Sequence, residues 1–222
     1  MDFKNAKELL DFCQKLNCPI SDIMKQRECT LAETSLEDIY AKMDHALSIM
    51  RESASSPIQE PKKSIGGLIG GEARLADLHR ARGAAICGSV LSRAITYSMA
   101  VLETNTSMGL IVAAPTAGSC GILPAALLTM QEEKGFSERD CVMSLFTASA
   151  VGMVIANNAS LAGAQGGCQA ECGSAAAMAA AAIVELAGGT PGMVENAIAI
   201  AIKNILGLVC DPVAGLVEIP CI

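Results

Sequence analysis

Three cysteines of this chain stand beside residues that break helices. Cys168 follows Gly167, Pro212 comes two residues after Cys210, and Cys221 follows Pro220. Breakers leave backbone N–H groups without helical partners, and such groups hydrogen-bond to thiolate and sulfide sulfurs and tune a cluster. The intervals between the three, 42 and 11 residues, match no compact ferredoxin or zinc-finger spacing. On spacing alone, a metal site and three unrelated thiols both stay open. A second segment, Ala113-Ala-Pro-Thr-Ala-Gly-Ser-Cys-Gly-Ile-Leu-Pro124, carries hydroxyls on Thr116 and Ser119 and flexible backbone at Gly118 and Gly121. A helix is expected to begin near Pro124, and a helix N-terminus suits a carboxylate ligand. It equally suits a well-capped helix start between two core helices.

The elements that must position these residues read as helices throughout. Asn5 to Leu16 is amphipathic, with Leu9, Leu10, Cys13 and Leu16 on one face. Ser35 and Asp38 form a capping box ahead of a second helix, whose apolar residues Leu36, Ile39, Met43, Leu47 and Met50 recur at helical spacing. Residues 53–64, rich in Ser and Pro, read as a linker. A glycine-rich turn from Ser64 runs into a charged helix, Glu72 to Arg82. It lacks the Gly-Lys-Ser/Thr ending of a phosphate loop. Ala84 to Leu102 is a nearly apolar helix. Ser137 with Asp140, and Thr190 with Pro191, mark two further helix starts, the last helix ending near Leu206. The expected fold is all-α, with eight to ten helices. It divides into N-terminal amphipathic helices over 1–52, the linker over 53–64, and a compact helical catalytic domain over 65–222.

Composition agrees. Hydrophobic residues make up 51 %, enough for a sizeable core, while aromatics are only 3 % and Trp is absent. Such a core is built from small and aliphatic side chains, whereas strand-rich chains carry more Tyr, Phe and Thr. A net charge of −7 offers no basic stripe for nucleic acid. The N-terminus, Met1-Asp-Phe-Lys-Asn-Ala-Lys-Glu, has no apolar signal core, so the ten cysteines are expected as reduced thiols in a cytoplasm. Cys13, Cys18, Cys29, Cys87 and Cys141 sit singly and read as small buried hydrophobes. The stretches between Glu103 and Glu132 and between Asp140 and Glu171 are uncharged and long enough to span a bilayer. Their prolines, glycines and asparagines, and the lack of an aromatic belt, favour buried core segments and no membrane contact.

The segments Ala-Ala-Pro-Thr-Ala-Gly-Ser-Cys-Gly, Gly-Cys-Gln-Ala-Glu and Val-Cys-Asp-Pro-Val-Ala-Gly-Leu-Val-Glu-Ile-Pro-Cys-Ile resemble the signature segments of iron–sulfur-dependent L-serine dehydratases. The resemblance is to the α subunit of the two-subunit bacterial form. It extends over the whole chain, including Ile65-Gly-Gly-Leu-Ile-Gly-Gly-Glu72. It implies an all-helical catalytic domain holding a [4Fe-4S] cluster on Cys168, Cys210 and Cys221, with L-serine as substrate and no pyridoxal phosphate. One iron, left open by three thiolates, would act as a Lewis acid on the substrate. Thr116 and Ser119 are then expected to orient the substrate carboxylate or amino group, with Gly118 contributing backbone.

In the family, a Ser- and His-containing segment belongs to the β subunit or β domain, and nothing like it occurs here. His45 and His79 lie among polar neighbours and are expected at the surface. The general base is therefore expected on a β-subunit partner. Family α subunits continue past the segment ending in Cys221, so the chain is expected to be truncated. Cys172 stands one helical turn after Cys168, where the family more often has an apolar residue. As a fourth ligand it would cap the cluster, and the alternative is then a non-catalytic iron–sulfur protein. A zinc-stabilised or metal-free helical interaction module is the third reading.

Overall fold

The structure, a computed structural model, describes residues 2–208. Among these, side chains near each helix start set most of the boundaries. The Asn5 side chain accepts the Glu8 N–H at 3.0 Å and opens α1, Ala6–Leu16. Ser35 accepts the Asp38 N–H at 3.0 Å ahead of α3, Leu36–Gln59. Ser137 does the same for Asp140 at 3.2 Å, opening α7, Glu138–Asn158. Thr190 precedes Pro191 at the head of α10, Pro191–Ile205. The other helices are α2 (Ile20–Ala32), α4 (Glu72–Ala81), α5 (Gly88–Thr106), α6 (Ile122–Lys134), α8 (Gly163–Gly166) and α9 (Cys168–Leu186). Described residues form ten helices and no strand, as the all-α expectation requires.

Helix α2 has no counterpart in the sequence reading, and its cap explains why. Pro19 precedes it and provides no side-chain cap. The Glu185 carboxylate, from α9, accepts the Ile20 N–H at 3.1 Å and the Ser21 N–H at 3.3 Å instead. Burial raises the Glu185 carboxyl above its ordinary 4.5, although these N–H groups pull it down. Unfolded chain gives up this proton at lower pH than folded chain does. Stability from this group is therefore full below pH 4.5 and is lost as pH rises through the raised folded value. Relative to Glu185→Gln, wild-type stability should decline with rising pH, as read by urea midpoints. A constant difference between the two proteins would refute this.

Two expectations need correction. Residues 53–59 are not linker but the last turns of α3. Ser53, Ala54 and Pro57 are buried and continue the stripe of Leu47 and Met50 at helical spacing, so packing overrides the breaker at Pro57. Nor do the N-terminal helices over 1–52 form a unit separate from the rest. Phe3, Leu9, Ile20, Ile23 and Leu47 lie in the same core as Val142, Leu145, Phe146 and Val194. At its centre α9 packs on α7, α10 and α6, and α7 also packs on α2. Small residues allow the close approach: a Cβ on Gly152 of α7 would lie 3.0 Å from the Met178 Sδ of α9. By length and composition α7 could cross a membrane, but 56 % of its apolar window is buried inside the protein.

The cysteines divide by depth. Cys13 and Cys141 are buried, Cys18 and Cys29 are half-buried, and Cys87 is exposed at the start of α5. The buried-hydrophobe reading therefore fails for Cys87, because α5 begins four residues later than the expected Ala84.

Candidate active site

The last turn of α5 anchors two irregular segments. The Ile65 N–H donates to the Thr106 carbonyl at 3.1 Å, and the Asn105 side chain donates to the Ala117 carbonyl at 3.1 Å. The glycine-rich turn after Ser64 and the loop 113–121 are thereby tied to one end of one helix. At the far end of the loop, a Cβ on Gly121 would lie 2.7 Å from the Ser98 carbonyl, so only glycine lets α6 start this close to α5. Helix α6 begins at Ile122, two residues before the expected Pro124.

Within the loop the Thr116 and Ser119 hydroxyls lie 3.0 Å apart. Ser119 is 1 % exposed, Thr116 half-buried and Gly118 exposed. Ser119 therefore stands behind Thr116 and holds it, while Thr116 and Gly118 reach the surface. The Thr116 hydroxyl donates to Glu171 Oε1, on the first turn of α9. Gly118 packs against the same carboxylate, since a Cβ there would lie 2.6 Å from Glu171 Oε1. Burial pushes the neighbouring Cys120 thiol up to about 11, and the charge of Glu171 adds to the effect. Cys120 is thus a protonated core thiol at neutral pH, not a nucleophile.

Cys168 is the first residue of α9, behind Gly167 at φ 74, and is half-buried. Helix N-termini favour negative charge, which suits a thiolate ligand. Cys172 lies one turn further on and is also half-buried. Next to Cys168, the Gln169 N–H donates to the Leu208 carbonyl at 2.7 Å, and the Gln169 side chain accepts the Gly207 N–H at 2.8 Å. The end of α10 is thereby tied to the start of α9. In sequence, Leu208 is two residues before Cys210. Cys210 and Cys221 lie outside the described residues. Among the described residues no three His, Cys, Asp or Glu side chains form a metal-binding group. His45 and His79 are exposed on α3 and α4, as expected.

Sequence reasoning missed Glu171. Its signal was present, because it is the only charged residue between Asp140 and Glu185. A lone charge in an apolar stretch is costly unless something uses it.

The structure thus gathers three segments at one end of the bundle: 65–72, 113–124 and 166–174. Comparison with known proteins gives the family. A family described as serine dehydratase alpha chain matches residues 15–222. The chain belongs to this family. Among its relatives is the "Probable L-serine dehydratase, alpha chain" of Bacillus subtilis (strain 168). It is 47 % identical over 99 % of this chain and 73 % of that protein. The "L-serine dehydratase, alpha chain" of Peptoniphilus asaccharolyticus is 42 % identical over 97 % of this chain and 74 % of its own length. The "L-serine dehydratase TdcG" of Escherichia coli (strain K12) is 37 % identical over the whole of this chain and 49 % of its own. The chain thus spans about half the length of this last relative.

Proposed function

We propose that this chain is the cluster-bearing subunit of a cytoplasmic L-serine dehydratase, working with a β subunit to convert L-serine to pyruvate and ammonia. The observation that supports this best is the contact between Thr116 and Glu171. It sets the hydroxyl-bearing loop against the helix turn that begins with Cys168. Cys168, Cys210 and Cys221 would hold a [4Fe-4S] cluster. When bound, that cluster supplies a Lewis-acidic iron that polarises the substrate's C–O bond and favours departure of hydroxide.

The chain's own residues do the rest of the positioning. Thr116 orients the substrate through its hydroxyl. Ser119 fixes Thr116 from behind, and so acts on the substrate through it rather than by contact. Gly118 leaves the mouth of the loop open and offers backbone. Serine loses its Cα proton and its β-hydroxyl as water, giving aminoacrylate. This tautomerises to the imine, and water then releases ammonia and pyruvate. The base that takes the Cα proton is assigned to the β subunit, since the Ser- and His-containing segment of the family has no counterpart in this sequence.

The α and β chains, purified together without air, should form pyruvate from L-serine. Exposure to air should convert the cluster to a [3Fe-4S] EPR signal, with activity restored by Fe(II). Cys172→Ala should leave the iron content unchanged. Iron loss equal to that of Cys168→Ala, together with a spectrum indifferent to serine, would instead favour a four-thiolate, non-catalytic cluster.

A further inference from the structure

We propose that Glu171 binds the α-ammonium group of L-serine and so selects amino acids over hydroxy acids that lack this group. The inference rests on the serine-dehydratase reading and adds a substrate-binding residue to it.

Several observations converge on this carboxylate. Among the described residues, the ion pairs link Lys25, Arg27, Arg51, Arg80 and Arg93 to other acids, and Glu171 takes part in none of them. Residues 209–222 contain no Lys, Arg or His, so no basic side chain reaches it from there either. A half-buried carboxylate without a cation of its own chain is placed to take one from a ligand. Its position is fixed on two sides. Thr116 donates to Oε1, and the missing side chain of Gly118 leaves room for that same oxygen. Gly118 is exposed, so the pair faces a surface that a small ligand can reach.

The helix sets the distance to the rest of the substrate. Glu171 is three residues after Cys168, so both project from one face of α9 with their Cβ atoms roughly 5–6 Å apart. That span suits a molecule as small as serine. With its ammonium at Glu171, serine presents its hydroxyl and carboxylate toward the Cys168 end. An ammonium held in its charged form also withdraws electrons from Cα and makes the Cα proton easier to remove.

The test uses the α–β complex, purified without air, as wild type and as Glu171→Gln. Gln keeps the shape and the acceptor for Thr116 but removes the charge. Equilibrium dialysis gives the Kd for L-serine, and steady-state kinetics give KM and kcat for pyruvate formation. A third measurement is the inhibition constant of 3-hydroxypropionate, which is serine without the ammonium group. In Glu171→Gln the Kd and KM for serine should rise about tenfold, the loss expected for one charge-assisted hydrogen bond. The inhibition constant of 3-hydroxypropionate, the iron content and the unfolding midpoint should stay unchanged. An unchanged serine Kd in the variant overturns the proposal, as does an equal loss for serine and 3-hydroxypropionate. The second result would mean that Glu171 only shapes the site or pairs with a base of the β subunit. Wild-type complex that binds serine without forming pyruvate would instead overturn the dehydratase reading and leave the binding comparison decisive for Glu171.

Discussion

Cys168→Ala should strip the α–β complex of its iron and lower pyruvate formation by on the order of 10³-fold or more. Lewis-acid stabilisation of a leaving oxygen is worth several kcal/mol, and each 1.36 kcal/mol is about tenfold in rate. The fold itself should survive. Cys168 is half-buried at the first position of α9, and alanine is the best helix former there. Its neighbour Gln169 holds Gly207 and Leu208 through a backbone N–H and a side-chain oxygen, neither of which the substitution removes. Iron per chain, the EPR signal and far-ultraviolet circular dichroism separate the two effects. Helical content equal to wild type with iron lost is the expected pattern. Full iron content in this variant would remove Cys168 from the ligand set and overturn the proposed site.

Gly118→Ala should lower kcat/KM for serine by about 10²-fold, the loss that roughly 1 Å of misplacement can cause. The new Cβ would lie 2.6 Å from Glu171 Oε1 and 3.1 Å from its Cδ. No real Cβ tolerates the first distance, so the carboxylate must turn away. Thr116 donates to that same oxygen, so its hydroxyl loses its partner in the same event. Two positioned groups move together, which is why this effect exceeds that of neutralising Glu171 alone. Stability should change little, because the obstructed atom is the end of a flexible side chain and Gly118 is exposed. Gly121→Ala provides the contrast. There the Cβ would meet the Ser98 carbonyl at 2.7 Å, a backbone atom that cannot turn aside. Gly121→Ala should lose stability, while Gly118→Ala should lose activity at nearly constant unfolding midpoint. Equal unfolding losses in both would place Gly118 among purely structural glycines.

The two glycines also show how far a sequence reading reaches. Both are visible in the segment 113–124 as flexible backbone. Nothing local says that one leaves room for a carboxylate and the other for a helix. Glu171 is similar, conspicuous as a lone charge but without a stated role, since Thr116 is 55 residues away along the chain. The linker expectation failed over 53–59 for a related reason. Ser and Pro usually signal irregular backbone, but Ser53, Ala54 and Pro57 face a core that rewards helix at those positions.

What the sequence determines by itself is therefore whatever can be satisfied within three or four residues. Ser35 with Asp38, Ser137 with Asp140 and Thr190 with Pro191 each place a helix start, because the side-chain oxygen and the N–H it accepts are neighbours. The small-residue composition sets the all-helical class in the same way. Tertiary structure alone decides the contacts between partners far apart in the chain. Glu185 caps α2 from 165 residues away, and the Gln169 side chain holds Gly207 across 38. Thr116 meets Glu171 only because α6 and α9 pack side by side. A cap made by a remote residue leaves no local pattern, so α2 becomes visible, and the lone charge at Glu171 acquires its partner Thr116, only when the helices are assembled.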